Sequence, residues 1–286
     1  LHQIKNNKLF TALNSLGLSI GIAGLIFAIL YWNDEKSYNK WNPDKERIFQ
    51  SVCQVAPDMF WASNVAALEK YLKADFPELE SYCYFDNWYY EELVQYKNKK
   101  EILKITDAQK NFFDFFPFSF VKGSAKTALK NETCIALSKE AANKIFGDED
   151  PIGKEIRYSG RTLVVTGIYE VPGKSSMAPM AVTSLIEPKL KENADHWGNF
   201  NHGLLLKLKN PDDKNKVVTR IEKILFENRV VKWAKEEGYN FSVLETGNQQ
   251  VSAVHLYEKS GYSRIPNYEP YENVENSICF LKQLVY

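Results

Sequence analysis

Among the side chains that could do chemistry, the first candidates are Gly173, Lys174 and Ser175. Their order resembles the end of a phosphate-binding loop, whose lysine and hydroxyl contact a bound nucleotide. That loop requires another glycine five residues before Gly173, but Ile168 occupies this position and Gly167 stands one residue too early. Prolines on both sides also disfavour the helix whose first amides would meet the phosphate. The tripeptide therefore predicts a turn and no nucleotide site.

Histidine and carboxylate side chains give no catalytic or metal-binding signature. His196 and His202, with Asp195 beside the first, are close in sequence, but a spacing of six residues places them on different faces of a helix. The sequence contains no HExxH motif and no GxSxG elbow, and no carboxylate pair stands out among its 36 acidic residues. We therefore expect no catalytic residue, no metal ligand, no cofactor and no enzymatic activity.

The cysteines and one aromatic run each allow two structural interpretations. Cys53, Cys83, Cys134 and Cys279 could form disulfides with three connectivities, but their wide spacing and strand-like surroundings favour buried free thiols. The run from 112 to 120, FFDFFPFSF, could present an apolar surface to a ligand. Such aromatic density is more typical of a protein core, and we expect this run to be buried beneath a bend in a strand.

Charge and composition exclude several classes of protein. The 36 basic residues are balanced by 36 acidic ones, so overall charge provides no attraction to nucleic acid. With 44% hydrophobic residues, 14 Gly and 11 Pro among 286 residues, the chain is neither fibrous nor disordered. Most of it must fold.

One segment has a composition suited to lipid rather than to water. The residues Leu9–Trp32 contain no charge, and at about 1.5 Å per residue such a helix spans the roughly 30 Å of hydrocarbon in a bilayer. The segment is longer than the apolar part of a signal peptide, and no small-residue cleavage site follows it. A buried core helix is the other alternative. The length and the aromatic pair at its end favour a transmembrane helix.

The charges that flank this helix predict its orientation. Lys5 and Lys8 precede it, whereas Asp34 and Glu35 follow it. Since basic residues remain on the cytoplasmic side, we expect a cytoplasmic N-terminus and an extracytoplasmic position for the rest of the chain.

Small residues mark one face of the same helix. Gly17, Gly21, Gly24 and Ala28 follow one another at spacings of four, three and four residues, which places them on one stripe. Small side chains allow a second helix to approach closely in lipid, so we expect this face to pack against a partner helix.

The pattern of the chain after the apolar helix predicts an α+β region. A strand pattern at 47–55 precedes a helical pattern that ends before Pro77, and a second strand and helix follow at 204–209 and 217–225. Between these two units strands dominate, with a brief helix capped by Ser138 and closed by Gly147, and with a bulge expected at Gly167. We expect two subdomains, the first interrupted by the second.

Several short phrases recur at the spacings of one known family. In and after the apolar helix they are Asn7–Thr11, Leu13–Asn14, Gly17–Leu18, Ile20–Ala23, Glu35–Tyr38 and Arg47–Phe49. Further on they are Leu137–Ser138, Ala141, Phe146–Gly147, Asp150, Pro151, Ile152, Gly153, Lys154, Val165–Ile168 and Val254–Leu256. Together they resemble the MacB/FtsX-like ABC transporter permeases over nearly the whole chain. The resemblance implies that Asp150, Pro151, Gly153, Lys154 and Gly167 are structural residues of a MacB-like periplasmic core domain.

The chain also departs from the family pattern. The family has Asp where Asn39 stands, Arg where Gln50 stands and Asp where Ala253 stands. It continues into at least three further membrane helices, whereas the apolar run that begins at Ile278 is interrupted by Lys282. We therefore expect a permease fragment that ends before the second membrane helix.

The resemblance implies a domain plan. It comprises, in order, a cytoplasmic stub, the transmembrane helix, the first part of a porter-like subdomain, an inserted strand-rich subdomain, the second part of the porter-like subdomain, and a truncated lead-in to a second membrane helix. The corresponding residues are 1–8, 9–32, 33–80, 81–204, 205–260 and 261–286.

The resemblance also implies a function. The chain would be a non-enzymatic permease subunit of the bacterial inner membrane, with its main domain in the periplasm. A separate cytoplasmic ABC ATPase would supply energy for export or efflux, and mechanotransmission would run through helices that pack on other permease helices or on a second copy. The implied partners include the lipid bilayer but no nucleic acid. The alternative is a single-pass anchored sensor or binding module.

Overall fold

A computed structural model describes residues 8–56, 59–86 and 90–284. It begins with helix α1 (Lys8–Glu35), which in the part of the chain described is the one helix long and apolar enough to cross a bilayer. No charge or proline interrupts this helix between Leu9 and Trp32, and its side chains from Ala12 onward are exposed rather than packed on the domain that follows. An apolar helix that buries no face against protein is typical of a segment solvated by lipid.

The first sheet has β13 (Phe200–Leu208) at its centre. On one side β13 pairs antiparallel with β5 (Leu79–Asp86), and on the other side with β1 (Ile48–Gln50) and β4 (Asn64–Val65). The strand pattern at 47–55 is therefore two strands, because the chain turns away after β1 and forms a hairpin of β2 (Cys53–Ala56) and β3 (Met59–Trp61).

Helices cover one face of the first sheet. They are a 3-10 turn (Ala66–Leu68), α2 (Glu69–Ala74), α6 (Ile186–Glu192) and α7 (Lys214–Phe226). Val217, Ile221 and Ile224 of α7 recur at helical spacing and bury their side chains against Leu204 and Leu206 of β13.

The second sheet has seven strands. They are β6 (Tyr90–Tyr96), β7 (Lys99–Asp107), β8 (Ser119–Lys122), β9 (Cys134–Ser138), β10 (Glu155–Tyr158), β11 (Arg161–Glu170) and β12 (Ala181–Thr183). Their order across the sheet is β10, β6, β7, β12, β9, β11, β8. Two helices pack on this sheet: α4 (Ala125–Ala128), against β9 and β11, and α5 (Lys139–Phe146). The Ser138 side chain accepts a hydrogen bond from the Ala141 amide, and Gly147 ends the helix with a positive φ of 60°, so both predicted caps are confirmed.

The two sheets share a buried core. It contains the aromatic run, which forms α3 (Phe112–Phe115) and the segment after it, together with Cys83 and Leu205 of the first sheet and Val182 of the second. The side chains of Phe112, Phe113, Phe115, Phe116 and Phe118 are at most 5% exposed. The interpretation of this run as core is confirmed.

The last part of the described chain forms a third sheet. A π-helical turn (Glu227–Val231) and α8 (Lys232–Glu236) follow α7, and β14 (Phe241–Gly247), α9 (Val251–Lys259), β15 (Ser263–Ile265) and β16 (Ser277–Gln283) come next. Strand β16 lies between β14 and β15. The apolar run at Ile278–Leu281, which we expected to approach a second membrane helix, is therefore the central strand of a sheet, with Cys279 and Phe280 fully buried.

Sheet membership also differs from the predicted boundaries at 81 and 204. Both β5 and β13 belong entirely to the first sheet, so the chain changes sheets after Asp86 and returns by Phe200. The ladder between β5 and β13 overrides the local strand pattern, which cannot show which strands pair.

The four cysteines are free thiols in the structure. Cys83, Cys134 and Cys279 are buried, whereas Cys53 is partly exposed. Burial raises the pKa of the Cys53 thiol to about 11 and that of Cys83 further, which keeps both thiols protonated and unreactive at neutral pH.

Candidate functional site

The described residues contain no group of three or more His, Cys, Asp and Glu side chains that could hold a metal ion. The most elaborate polar arrangement instead surrounds the segment at 36–47, which leads from α1 to β1. We call this segment the linker, and the residues at 172–177 that it contacts the receiving loop.

Asn39 attaches the linker to the receiving loop. Its backbone N–H donates to the Lys174 carbonyl at 2.9 Å, its side-chain Nδ2 donates to Ser176 Oγ at 2.8 Å, and its Oδ1 accepts from the Ser176 N–H at 3.0 Å. Its φ of +56° lies in the left-handed region, which asparagine adopts more readily than most residues. Asn39 thus fits both the backbone conformation and the contact.

Trp41 and Asn42 extend this attachment into the shared core. The Trp41 indole donates to the Lys174 carbonyl at 3.1 Å, and its ring lies 5.4 Å from that of Phe118. The side chain of Asn42, which is 4% exposed, donates to the carbonyl of Phe115 at 2.8 Å. The linker is therefore packed and hydrogen-bonded over consecutive turns, unlike a flexible tether.

Charged groups bring the end of α1 to the same loop. The Lys174 ammonium forms an ion pair with Asp34 and lies 5.7 Å from the centre of the Tyr38 ring. The hydrogen bond to Asp34 raises the pKa of Lys174. Both side chains are exposed, so water screens the pair and the stabilisation is small.

A second attachment joins the linker to the first sheet. Arg47 pairs with Asp44 and Glu80, and the nearly buried Lys207 of β13 bridges the same two carboxylates at 2.6 and 3.1 Å. The pKa of Asp44 is lowered by its hydrogen bonds to Lys207 and Arg47, and that of Glu80 by those to Arg47 and Lys207. The linker therefore contacts both sheets.

A third polar cluster lies where the chain passes between the two sheets. Lys189 of α6 bridges Asp86, at the end of β5, and Asp107, at the end of β7, at 2.7 and 3.0 Å. His202 Nδ1 lies 3.4 Å from Asp86, and the Thr183 hydroxyl donates to Asp107 at 2.5 Å. Desolvation opposes the charge on Asp86, but the hydrogen bonds from His202 and Lys189 outweigh it and lower the pKa.

The predicted helix-packing face lies on the exposed side of α1. A Cβ added at Gly17, Gly21 or Gly24 would meet no heavy atom within 4 Å, and Ala28 is exposed. The face is thus unoccupied by the described residues, and the partner helix stays a prediction.

The residues predicted to set membrane orientation have different positions in the structure. Lys5 lies outside the described residues, and Lys8 is the first residue of α1. Asp34 pairs with Lys174, whereas Glu35 is exposed in the last turn of the helix.

The family-motif residues form a tight turn beside β11. The Asp150 carboxylate accepts from the Ile152 amide at 3.2 Å and pairs with Lys122 at 2.9 Å, and both contacts lower its pKa, Lys122 more than Ile152. Pro151 is buried, and Gly153, with a φ of +78°, donates its N–H to the Val165 carbonyl. The backbone N–H of Val165 donates in turn to the carbonyl of Lys154, which closes the turn on the sheet.

Gly167 stands at a break in the pairing of β11 with β9, where the register shifts between Val165 and Gly167. A Cβ at this glycine would lie 2.7 Å from Cε1 of Phe120. The expected bulge is confirmed, and it allows the aromatic core to approach the strand.

Sequence reasoning missed the three polar attachments. Lys174 was predicted only to lie in a turn, and Asn39 was noted only as a departure from the family. The available signal was a cluster of polar and aromatic residues between the apolar helix and the first strand. The partners of Asn39 and Trp41 are more than 130 residues away in the chain, and Arg47 pairs with Glu80 at a separation of 33 residues, so no local pattern could identify them.

A family model identifies the type of domain, and a solved structure shares its fold. A family model described as the MacB-like periplasmic core domain matches residues 11–224. A domain assigned to a permease protein of Porphyromonas gingivalis has 20% identity and a TM-score of 0.54, with 65% of this chain and 88% of that domain covered. At this identity the likeness shows the fold alone.

Two further solved structures were compared. The extracellular domain of the ABC-type transporter YknZ from Gram-positive bacteria has 15% identity and a TM-score of 0.45 over 63% of this chain and 92% of its own. The periplasmic region of MacB from Actinobacillus actinomycetemcomitans has 15% identity and a TM-score of 0.44 over 66% and 91%. No curated protein sequence matches the chain.

Proposed function

Because this chain belongs to the family of MacB-like periplasmic core domains, we propose that it acts as a permease subunit of an ABC transporter. In this proposal α1 anchors the chain in the bacterial inner membrane with its N-terminus in the cytoplasm, and the sheets lie in the periplasm. A separate cytoplasmic ATPase hydrolyses ATP. The chain itself performs no covalent chemistry and converts movement of its membrane helix into movement of the exterior domain for export or efflux.

The observation that carries the proposal is the attachment of the linker at both ends. Asp34 and Asn39 contact the receiving loop, whose chain continues from β11 and leads into β12 of the second sheet. Arg47 and Lys207 attach the other end to the first sheet. A displacement of α1 would therefore move packed structure at once, whereas a flexible tether would absorb it.

The proposal includes a division of the exterior domain into two subdomains. We propose a porter-like subdomain built on the first sheet, with the second sheet as an inserted subdomain. The cluster of Asp86, Asp107, Lys189 and His202 lies at the point where one subdomain leads into the other. This position would make it a hinge contact that holds the two sheets in one arrangement.

The small-residue face of α1 supports the proposed membrane partners. Gly17, Gly21, Gly24 and Ala28 are exposed along one stripe. We propose that this stripe packs on another permease helix or on a second copy of the chain, which would link the anchor to the helices that respond to the ATPase.

Copurification tests the proposal. The full chain, tagged at its C-terminus, is expressed in a bacterium that carries the gene, crosslinked, extracted in detergent and analysed by mass spectrometry. We expect an ABC ATPase among the crosslinked proteins. A matched variant in which Gly17, Gly21 and Gly24 are each replaced by leucine should insert equally well but recover at least fivefold less ATPase.

Two results would contradict the proposal. One is equal ATPase recovery with the triple-leucine variant, which would mean that contact does not depend on the helix face. The other is recovery of a histidine kinase or another signalling protein in place of an ATPase, which would favour the anchored sensor or binding module.

A further inference from the structure

A groove of about 1070 Å³ lies beside the first sheet. One wall is the extended segment at 49–54, and the other is formed by α7 with the π-helical turn that continues it. The start of α9 closes one side. Apolar side chains such as Phe49, Leu206, Val217 and Ile221 line its interior. A π-helical turn beside a groove is a feature found often at functional sites.

The extended wall has unpaired backbone groups. Ser51 donates its N–H to the Leu204 carbonyl of β13, and the ladder continues through the pair of Phe49 and Leu206. Hydrogen bonding alternates along an antiparallel edge, so Gln50 and Val52 direct their N–H and C=O groups away from β13. Within the described part of the chain, no other strand pairs with this edge of β1.

The open part of the edge is shorter than the helical wall. Cys53 and Gln54 pair with Trp61 and Phe60 of β3, so the wall open to an added strand runs from Phe49 to Val52, about 13 Å at 3.3 Å per residue. Along the helix, the 15 residue steps from Lys214 to Arg229 span about 22 Å at 1.5 Å per step. A strand of about four residues added to β1 would therefore lie along about half of the groove, with one side on the edge of β1 and the other against α7.

The charges of the groove favour an acidic occupant. Lys214 and Arg229 line its two ends, and neither has an ion-pair partner among the residues that the structure describes. The Arg229 guanidinium instead lies 4.6 Å from the centre of the Phe200 ring. Against these two basic groups the described lining has one carboxyl group, that of Glu222, whose pKa is raised by desolvation.

We propose that this groove binds an extended, acidic peptide segment of a partner protein by strand addition to β1. Backbone hydrogen bonds to Gln50 and Val52 would hold the peptide, alternate apolar side chains would enter the groove, and carboxylates would meet Lys214 and Arg229. The proposal does not depend on coupling to an ATPase, because it rests on the edge and lining of a groove that α1 does not contact.

A peptide-binding assay tests the proposal with the full chain in detergent micelles. The probe is a fluorescein-labelled eight-residue peptide that alternates valine and threonine between terminal glutamates. Fluorescence anisotropy should show saturable binding that weakens as salt is raised. A peptide with the same sequence but alternate N-methylated amides, and one with terminal lysines, should each bind at least tenfold more weakly.

Paired variants separate backbone pairing from simple contact. Val52→Pro removes an N–H that faces the groove and no bond to β13, so the sheet should remain intact while the affinity for the probe falls about tenfold. Val52→Thr keeps the N–H and the branched side chain and should bind within twofold of the wild type. Lys214→Glu should weaken binding at least fivefold. Lys191→Glu makes the same charge change at an exposed position of α6 outside the groove and should leave binding unchanged.

Hydrogen exchange supplies an independent measurement. The amides of Gln50 and Val52 should exchange rapidly in the free chain and slow at least tenfold when the probe is bound. The proposal is overturned if the wild type shows no saturable binding, if Val52→Pro and Val52→Thr bind equally, or if these two amides stay unprotected in the complex.

Discussion

At the residue scale, Asn39 combines a strained backbone with a set of long-range hydrogen bonds. Its left-handed φ would strain alanine, and its side chain both donates to and accepts from Ser176. Glycine would relieve the backbone but remove the side-chain bonds. The aspartate that the family usually has at this position can accept hydrogen bonds from both the Ser176 N–H and the Ser176 hydroxyl. It therefore preserves the attachment, with the Ser176 hydroxyl as donor in place of the Asn39 amide.

This arrangement predicts how substitutions at Asn39 behave. Asn39→Ala should lower the free energy of unfolding by about 2 kcal/mol, because two hydrogen bonds are lost and the backbone is strained. Asn39→Asp should stay within about 0.5 kcal/mol of the wild type. Chemical denaturation in detergent, followed by circular dichroism, measures both, and equal stability of the two variants would show that the contact contributes nothing.

Gly167 makes a second residue-scale prediction. A methyl group there would overlap Cε1 of Phe120, so Gly167→Ala should lower the free energy of unfolding by about 1 to 3 kcal/mol. Gly198→Ala is the matched control, since a Cβ at Gly198 meets nothing within 4 Å and should change stability by less than about 0.5 kcal/mol. Thermal unfolding distinguishes them, and a tolerated Gly167→Ala would mean that the bulge is not needed for close packing.

At the scale of elements, the ends of β5 and β7 are joined to α6 by the cluster around Asp86. The folded state lowers the pKa of Asp86, so its contribution to stability is present above the unfolded pKa of about 3.9 and is lost as pH falls through the lower folded value. Protonation of this carboxyl would release Lys189 from one of its two partners. The contact between the sheets should then weaken in acid.

The pH dependence of one variant tests this. At pH 7, Asp86→Asn should lower the free energy of unfolding by about 2 kcal/mol, because Lys189 and His202 lose a buried charged partner. The difference from wild type should shrink as the pH falls below about 4. The exposed Asp148→Asn should be neutral throughout, and a constant deficit for Asp86→Asn across this range would exclude an electrostatic contribution.

Helix α1 makes a prediction of its own. Gly21→Leu should weaken association of the helix in membranes at least fivefold, since the small stripe is where a second backbone can approach. Ala23→Leu adds a similar volume on the opposite side of the helix and should leave association unchanged. Crosslinking yield in native membranes measures both, and equal yields would show that the stripe is not the packing face.

At the scale of the whole molecule, the membrane anchor determines where the three sheets lie. The proposal places them outside the cytoplasm, with the linker close to the membrane surface. An alkaline phosphatase fused after Tyr38 should therefore be active in the periplasm. A green fluorescent protein fused at the same position and exported by the general secretory route should not fluoresce. Reversal of these signals would place the domain in the cytoplasm and end the transporter proposal.

Much of the architecture was accessible from sequence because its signals are local. The uncharged span predicted α1, the spacing of Val217 and Ile221 predicted α7, and Ser138 with Gly147 defined the ends of α5. The family phrases predicted the type of domain that residues 11–224 match. Each of these features depends on residues that are close in the chain. Their hydrophobic spacing and backbone preferences can therefore be recognised from the sequence.

The candidate site could not be predicted in the same way, because each contact joins distant segments. Asn39 reaches Ser176, Arg47 reaches Glu80, and Lys189 reaches both Asp86 and Asp107. Strand pairing was equally inaccessible at the run Ile278–Leu281, which we expected to be part of a truncated lead-in to a second membrane helix and which the ladder with β14 makes a strand. Sequence alone determined which segment is long and apolar enough to cross a bilayer and what family of domain follows it. Tertiary structure decided how that segment is attached and which edge of β1 stays open, because pairing and burial depend on neighbours that only the folded chain brings together.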